Sequence, residues 1–541
     1  MRGPGKLAAL AMVLVGCGSA SPPLRVSATD TTTTTTGSGT SGSTTTGTSG
    51  SSTGTTGSVA DAGDPKIVDA GPLDAGEPDA GPVEVDAGAP DAGPLDAGLE
   101  DAGVDAGPPV VSAPTVTCVD SLSDVYITPT LAAMTDANRG DVVRCAFDAA
   151  LSQSDVASNV ASDGLTTAMT SGTNRYRIAF RTWRGNGSEG VSTAVVYLPT
   201  SPISLPLPVI TIGHPTEGLA DSTAPSLDAS SNDEIALPFA GAGYAVIVPD
   251  YAGLGNEGVQ SYLDNHDQGH AILDAARALR KLLPAGAFSQ KVLALGFSQG
   301  GGSVLSAQAL ASSYGADGTL VGVVAFAPEW PSRMNSFGYV DMLEHPNELT
   351  IETGISDNVV EVMRTYAYFY NYVGATHADD GFPAASRAGI DQAVNNLDEV
   401  ALGGYLQGTA MRVGDTIDPS LQSSLLACIQ QGASSSGCVE PGASYFSFLQ
   451  NNILTADAQG APVLMVQGLA DYVMPAASEA ACNIQKLEAD GVTPQVCVDA
   501  LAQHQTVVSR NADFAIQWSQ AILAGTQLPS CSGSGMPACT P

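Results

Sequence analysis

Ser298 stands in the pentapeptide Gly296-Phe297-Ser298-Gln299-Gly300, behind an apolar run at residues 292–296 and ahead of a helix-like stretch at residues 303–312. Strand, tight turn and helix are the context in which a Gly-x-Ser-x-Gly sequence lifts a serine hydroxyl onto the tip of a strained turn. The glycines suit such a turn, because neighbouring backbones come very close there, and Gly301 and Gly302 relax the packing further. A serine hydroxyl is a poor nucleophile without a base. The chemistry to look for is therefore acyl transfer, with a histidine base and a carboxylate that orients it.

In this arrangement the chain order is serine, acid, histidine. The histidines after Ser298 are His345, His377 and His504, and only His504 follows the last expected strands and precedes a terminal helix. Asp471 lies in Gly468-Leu469-Ala470-Asp471, directly after an apolar run at residues 463–467. That puts it on a loop at the C-terminal end of a strand, where open α/β sheets bind ligands. A turn carboxylate and a surface histidine are the plainer readings of these two residues. An oxyanion hole needs two donors. One is expected from the backbone N–H of Gln299. The other is expected from the loop Gly213-His214-Pro215-Thr216-Glu217-Gly218. Pro215 has no N–H, which leaves Thr216 or Glu217, while His214 reads as a brace for the loop.

Other candidates are weaker. His266 and His270 lie four apart, a metal-binding spacing on a helix, but no HExxH glutamate accompanies them and a solvated helix start is expected. The tyrosines at 366, 368, 370 and 372 read as packing for a cap rather than a sugar platform. No metal and no cofactor are expected.

The elements that must hold these residues alternate between short apolar runs and helical patterns, as in a mainly parallel sheet. Residues 177–183 and 192–198 read as an opening hairpin. Buried strands are predicted at 207–212, 244–249, 292–296, 321–326, 463–467 and 496–500, with helices at 268–283 and 508–524. The insert between Phe326 and Val463 is long enough for a cap at about residues 331–455. Its apolar stretches at 359–363 and 421–426 read equally as pocket lining or as helical core.

Ahead of this region the composition changes. Residues 28–58 are almost entirely Thr, Ser and Gly, and residues 61–107 carry nine Asp-Ala-Gly triplets. Neither has enough apolar side chains to offset the entropy of ordering. A calcium-binding β-roll would need a GGxGxD pattern and a regular apolar position, and both are missing. Residues 17–112 are therefore expected to be a disordered tether ahead of a folded domain at 113–541. Residues 1–16 read as an export signal, with Arg2 and Lys6 before a short apolar core. That core ends in Leu14-Val15-Gly16-Cys17, which looks like a bacterial lipobox and implies lipidation of Cys17, hence an exported lipoprotein of the cell envelope, outer membrane expected.

Of nine cysteines, eight remain beside Cys17, an even set that fits four disulfides in an oxidising compartment. Sequential neighbours are the expected pairs, since each then closes a short loop. No CxxC spacing points to zinc. The formal net charge is −35, and from residue 113 on 41 acidic residues still face 16 basic ones. Such a surface repels nucleic acid and other polyanions.

Four blocks together resemble the secretory lipase family of α/β-hydrolases, over roughly residues 170–525. They are His214-Pro215-Thr216-Glu217-Gly218 with Ala224-Pro225-Ser226; Gly243-Tyr244-Ala245-Val246 with Asp250-Tyr251-Ala252-Gly253-Leu254-Gly255; Leu273-Asp274-Ala275-Ala276-Arg277-Ala278; and Gly296-Phe297-Ser298-Gln299-Gly300-Gly301. The resemblance implies the α/β-hydrolase fold with a helical cap before the acid, ester substrates, no metal, and triad roles for Ser298, Asp471 and His504. Pro215 in place of a glycine and Thr223 in place of a cysteine depart from the family pattern. A serine esterase or lipase is thus expected, acting on a small-molecule or lipid ester and held to a membrane by its N-terminal lipid. The alternatives are a peptidase or carbohydrate esterase on the same fold, or a non-catalytic surface-binding lipoprotein.

Overall fold

The computed structural model describes residues 116–200, 205–348, 355–410, 412–531 and 535–540. The expected export signal at 1–16, Cys17 and the tether at 17–112 lie outside the described residues. Among the described residues, nine strands make one sheet: β1 Val142–Leu151, β2 Thr173–Trp183, β3 Glu189–Pro199, β4 Leu207–Gly213, β5 Ala245–Pro249, β6 Phe288–Phe297, β7 Thr319–Phe326, β8 Val463–Gly468 and β9 Gln495–Asp499. Their order is β1-β2-β3-β5-β4-β6-β7-β8-β9. β1, β2, β3 and β5 pair antiparallel, and from β5 onward every pairing is parallel.

Alternation along the strands decides which helices cover which face. In β5, Val246 and Val248 point into one cluster, whereas Ala245 and Ile247 point into another. The first cluster takes in α1 Gln153–Ser162, α2 Asp233–Gly241 and the terminal helix, here α12, Val507–Ala524. The opposite face is covered by α3 Asn265–Lys281 and α4 Gln299–Leu310. Strands buried on both faces read as unbroken apolar runs, as β5, residues 292–297 of β6 and residues 463–466 of β8 do. Each fully buried Val, Leu or Ile contributes roughly 1.5–3 kcal/mol. α3 is held at its start by Asp264, whose carboxylate accepts from the N–H groups of His266 and Asp267, and Arg280 and Lys281 occupy its last turn.

Among the described residues, six α-helices run between β7 and β8: α5 Tyr339–Glu344, α6 Ile355–Tyr368, α7 Arg387–Val394, α8 Glu399–Thr409, α9 Pro419–Gln431 and α10 Gly442–Asn451. Both apolar stretches singled out in this insert are core. Val359, Val362 and Met363 join the main cluster, while Leu421 and Leu425 pack with Tyr368, Tyr445 and Leu449. Tyr368 stacks on Tyr445 at 4.4 Å and on Tyr372 at 5.5 Å, so the tyrosines do pack this region together.

Three expectations change. The hairpin β2–β3 forms but does not open the sheet, since β1 precedes it. α4 begins at Gln299, not at residue 303. The disulfides are Cys118–Cys145 and Cys428–Cys438 as expected, but also Cys482–Cys539 and Cys497–Cys531. The last two are nested because the C-terminal tail folds back over β9 and over α11 (Ala481–Ala489), bringing those Cα atoms to 4.7 and 5.6 Å. Among the described residues no helix is long and apolar enough to cross a membrane.

Candidate active site

β6 ends at Phe297, and the next residue turns sharply: Ser298 has φ 54° and ψ −118°. Few non-glycine residues adopt a positive φ, and surrounding bonds must hold one that does. Here the Ser298 N–H donates to Phe326 O at 3.0 Å, and its carbonyl accepts from the N–H groups of Glu329 at 2.9 Å and Gly302 at 3.1 Å. Glycine is required on both sides. A Cβ on Gly296 would sit 2.0 Å from Gly300 O, and one on Gly300 would sit 2.0 Å from Gly213 O. Gly300→Ala is therefore expected to cost about 1–3 kcal/mol, the usual range for forced overpacking. A thermal unfolding midpoint equal to that of the unsubstituted protein would show that these backbones can part freely.

The three residues proposed from sequence come together. His504 Nε2 is 2.9 Å from Ser298 Oγ, and His504 Nδ1 is 2.8 Å from Asp471 Oδ2. They are 5 % (Ser298), 5 % (Asp471) and 7 % (His504) exposed, shielded from bulk water. Asp471 Oδ1 also accepts from the N–H groups of Val473 and Met474, which fixes the carboxylate plane. A carboxylate only accepts, so Nδ1 carries its hydrogen and Nε2 of the neutral ring can accept from the serine hydroxyl. The loops after β8 and β9 are joined by Leu469 N–H to Asp499 O and Ala470 N–H to Ala502 O, at 3.0 and 3.1 Å. Phe297 packs on the imidazole at 4.8 Å. Asp457, the aspartate that precedes β8, takes no part in these bonds; its backbone is bonded to the Gln308 side chain. His345 and His377 are on the surface, their Nδ1 atoms 3.3 Å from Asp341 and 2.7 Å from Asp380.

Gln299 heads α4, and the helix offers no acceptor to the N–H groups of its first turn. The loop from Gly213 to Gly218 lies alongside, with Gly213 paired in register with Gly296. His214 braces it, as expected: the buried ring packs on Tyr251 at 4.5 Å, Nδ1 lies 2.6 Å from Pro215 O, and burial pushes its pKa down to about 4. Thr216 Oγ1 is hydrogen-bonded to Glu329 Oε2 at 3.1 Å. Glu217 O accepts from Glu399 N–H at 3.0 Å, and Gly218 bridges to Asp398. The start of α8 is thus bonded directly to this loop. Glu329, Tyr262 and Glu399 were not singled out from the sequence.

His266 and His270 are half-buried rather than a solvated helix start. His270 stacks on Tyr314 at 3.8 Å, and burial lowers its pKa to about 4. Among the described residues, no three His, Cys, Asp or Glu side chains group as metal ligands. A cavity of about 410 Å³, walled by Tyr368, Tyr372, Phe448, Asp264 and His266, shares no residue with the Ser298 site.

Several carboxyls near this site and in the helical insert are pushed up by burial first and by neighbouring carboxylates second. Glu217 and Glu329 reach about 8 and Glu399 about 7. Burial also lifts Glu361 to about 8 and Asp357 to about 7. Each keeps its proton in the fold over a window where the unfolded chain, titrating near 4.5 for Glu, has released it. Stability then falls with pH wherever the folded state binds more protons. Their stabilising share is complete below about pH 4.5 and is lost as pH rises to about 8. The thermal midpoint is expected to be lower at pH 9 than at pH 6; an increase would contradict these assignments.

Residues 228–329 match the secretory lipase family. Among solved structures, the rice cell wall degrading esterase LipA from Xanthomonas oryzae is 20% identical with a TM-score of 0.52, over 72% of this chain and 98% of that one. Candida antarctica lipase A in its closed state is 16% identical with a TM-score of 0.54, over 78% of this chain and 91% of that one. The chain has the α/β-hydrolase fold. The secretory lipase match spans α2 through β7, the segment that carries Ser298. It agrees with the family resemblance read from the sequence blocks. No curated protein sequence matches the chain.

Proposed function

We propose that this α/β-hydrolase is an exported serine esterase that cleaves carboxylic esters through an acyl-enzyme. The reading is carried by one observation, the continuous relay Asp471–His504–Ser298 with links of 2.8 and 2.9 Å. In the first half-reaction His504 Nε2 takes the Ser298 hydroxyl proton as Oγ attacks the ester carbonyl. The developing oxyanion is met by the N–H of Gln299 and by a donor from Thr216 or Glu217. His504 then protonates the leaving alcohol, and the alcohol departs. In the second half-reaction His504 takes a proton from water, the hydroxide attacks the acyl carbonyl, and Ser298 leaves with the proton returned. Asp471 stays ionised and stabilises the imidazolium.

Uncharged acyl esters of short to medium chain are the proposed substrates, because the acidic domain disfavours polyanions at short range. Cleavage before Cys17 with lipidation there, and a tether at residues 17–112, would hold the enzyme at the cell envelope. The supporting features are the Leu14-Val15-Gly16-Cys17 sequence and the Asp-Ala-Gly repeats. The test is kcat/KM across p-nitrophenyl esters from C2 to C16, beside a peptide p-nitroanilide and an acetylated sugar. A maximum within the ester series is expected. Faster anilide cleavage, or activity on the acetylated sugar alone, would overturn the substrate assignment.

A further inference from the structure

Glu329 lies just beyond β7, 2% exposed, with no role in the proton relay. Its backbone and its side chain face different halves of the site. The backbone N–H donates to Ser298 O at 2.9 Å, holding the strained turn. The side chain accepts from Tyr262 OH through Oε1 at 2.8 Å, and its Oε2 is hydrogen-bonded to Thr216 Oγ1 at 3.1 Å. Tyr262 OH and Thr216 Oγ1 are themselves 3.2 Å apart, so the three side chains close a triangle. Tyr262 is 1% exposed, and a Cβ on Gly302 would lie 2.1 Å from Glu329 O, so the segment is wedged against α4. Among the described residues no lysine or arginine pairs with Glu329. Burial pushes its carboxyl up to about 8, so near neutrality it is largely the uncharged acid, whose one hydrogen Oε2 can give to Thr216 Oγ1 while Thr216 turns its own to Tyr262 OH and Tyr262 to Oε1, one hydrogen for each side of the triangle.

A buried carboxyl without a cationic partner is costly, and here it is retained beside the nucleophile. We propose that Glu329 is a positioning residue that fixes the Thr216 side of the oxyanion hole against the Ser298 turn. Because it bonds both parts, it sets the distance between the serine oxygen and the donor loop. A displacement of about 1 Å in such a site costs roughly 10²-fold in rate. The group acts by shape and hydrogen bonding, not charge, so a glutamine can replace it: its amide keeps one acceptor for Tyr262 and offers a donor to Thr216 Oγ1.

This inference rests on Ser298 as the nucleophile. The experiment compares Glu329→Ala, Glu329→Gln and Thr216→Val on one p-nitrophenyl ester, with active sites counted by a fluorophosphonate burst. Glu329→Ala is expected to lower kcat about 10²-fold with KM within about twofold, and to weaken an alkylboronic acid inhibitor in step with kcat/KM. Glu329→Gln is expected to stay within about threefold of the unsubstituted enzyme. Thr216→Val is expected to fall as Glu329→Ala does, and the double variant to be no worse than either, as for residues acting as one unit. If Glu329→Ala does not fold, Thr216→Val alone carries the comparison. Unchanged kcat in Glu329→Ala or in Thr216→Val, or equal loss in Glu329→Gln and Glu329→Ala, overturns the proposal. Activity surviving Ser298→Ala would instead overturn the functional reading beneath it.

Discussion

Ser298→Ala is expected to lower kcat for ester hydrolysis about 10⁶-fold while leaving the protein folded, with the residual rate still roughly 10³–10⁴ above the uncatalysed reaction. The hydroxyl is the group that attacks, and none of the bonds that hold the turn passes through it: the Ser298 N–H and carbonyl make those contacts. Removing Oγ therefore takes away the chemistry and spares the scaffold. The residual rate would come from the oxyanion donors and substrate binding. The checks are steady-state kinetics and a thermal melt on the same sample. Near-normal turnover, with the fold intact, would mean that another group attacks.

Asp471→Asn is expected to cost about 10⁴-fold in kcat with little loss of stability. The amide oxygen can still accept from Val473 and Met474, as Asp471 Oδ1 does. The amide nitrogen, however, would donate where Oδ2 accepts, forcing His504 Nδ1 to become the acceptor and Nε2 to carry the hydrogen. The imidazole would then face Ser298 with a proton instead of a lone pair. Asp457→Asn is the matched control, since that residue makes turn contacts and is expected to leave kcat unchanged. Equal losses in both variants would show that a general effect of charge removal, not tautomer control, is at work.

Ser298 and Asp471 are legible because each closely follows a buried apolar run, and His504 because, of the histidines after Ser298, it alone lies between the last expected strand and the terminal helix. β4 to β8 are legible from the same kind of apolar run. β1 escaped because Arg144 and Asp148 interrupt its alternation; in the fold Asp148 pairs across to Arg175 and Arg177 at 2.5 and 2.8 Å on the antiparallel end. The start of α4 was placed four residues late because Gly300, Gly301 and Gly302 argue against helix by intrinsic preference. Their lack of a Cβ is what lets that helix end touch β4, β7 and the segment after it. Local propensity and tertiary contact disagreed there, and contact won.

The nested disulfides and Glu329 were out of reach for a related reason. Cysteine pairing depends on where a tail returns in space, and spacing along the chain carries no record of that. Glu329 in Ala327-Pro328-Glu329 reads as an ordinary polar residue after a strand. One available signal was its place at the C-terminal edge of β7, the same edge that supplies Ser298, Asp471 and His504.

The central claim is that Ser298 is the activated nucleophile, and labelling tests it most directly. A fluorophosphonate probe, followed by intact mass measurement and peptide mapping, should give one adduct per chain. That adduct should lie on the peptide containing Ser298, and hydrolysis should be lost in proportion to labelling. An adduct on a different residue, or undiminished ester hydrolysis in a fully labelled sample, would contradict the account.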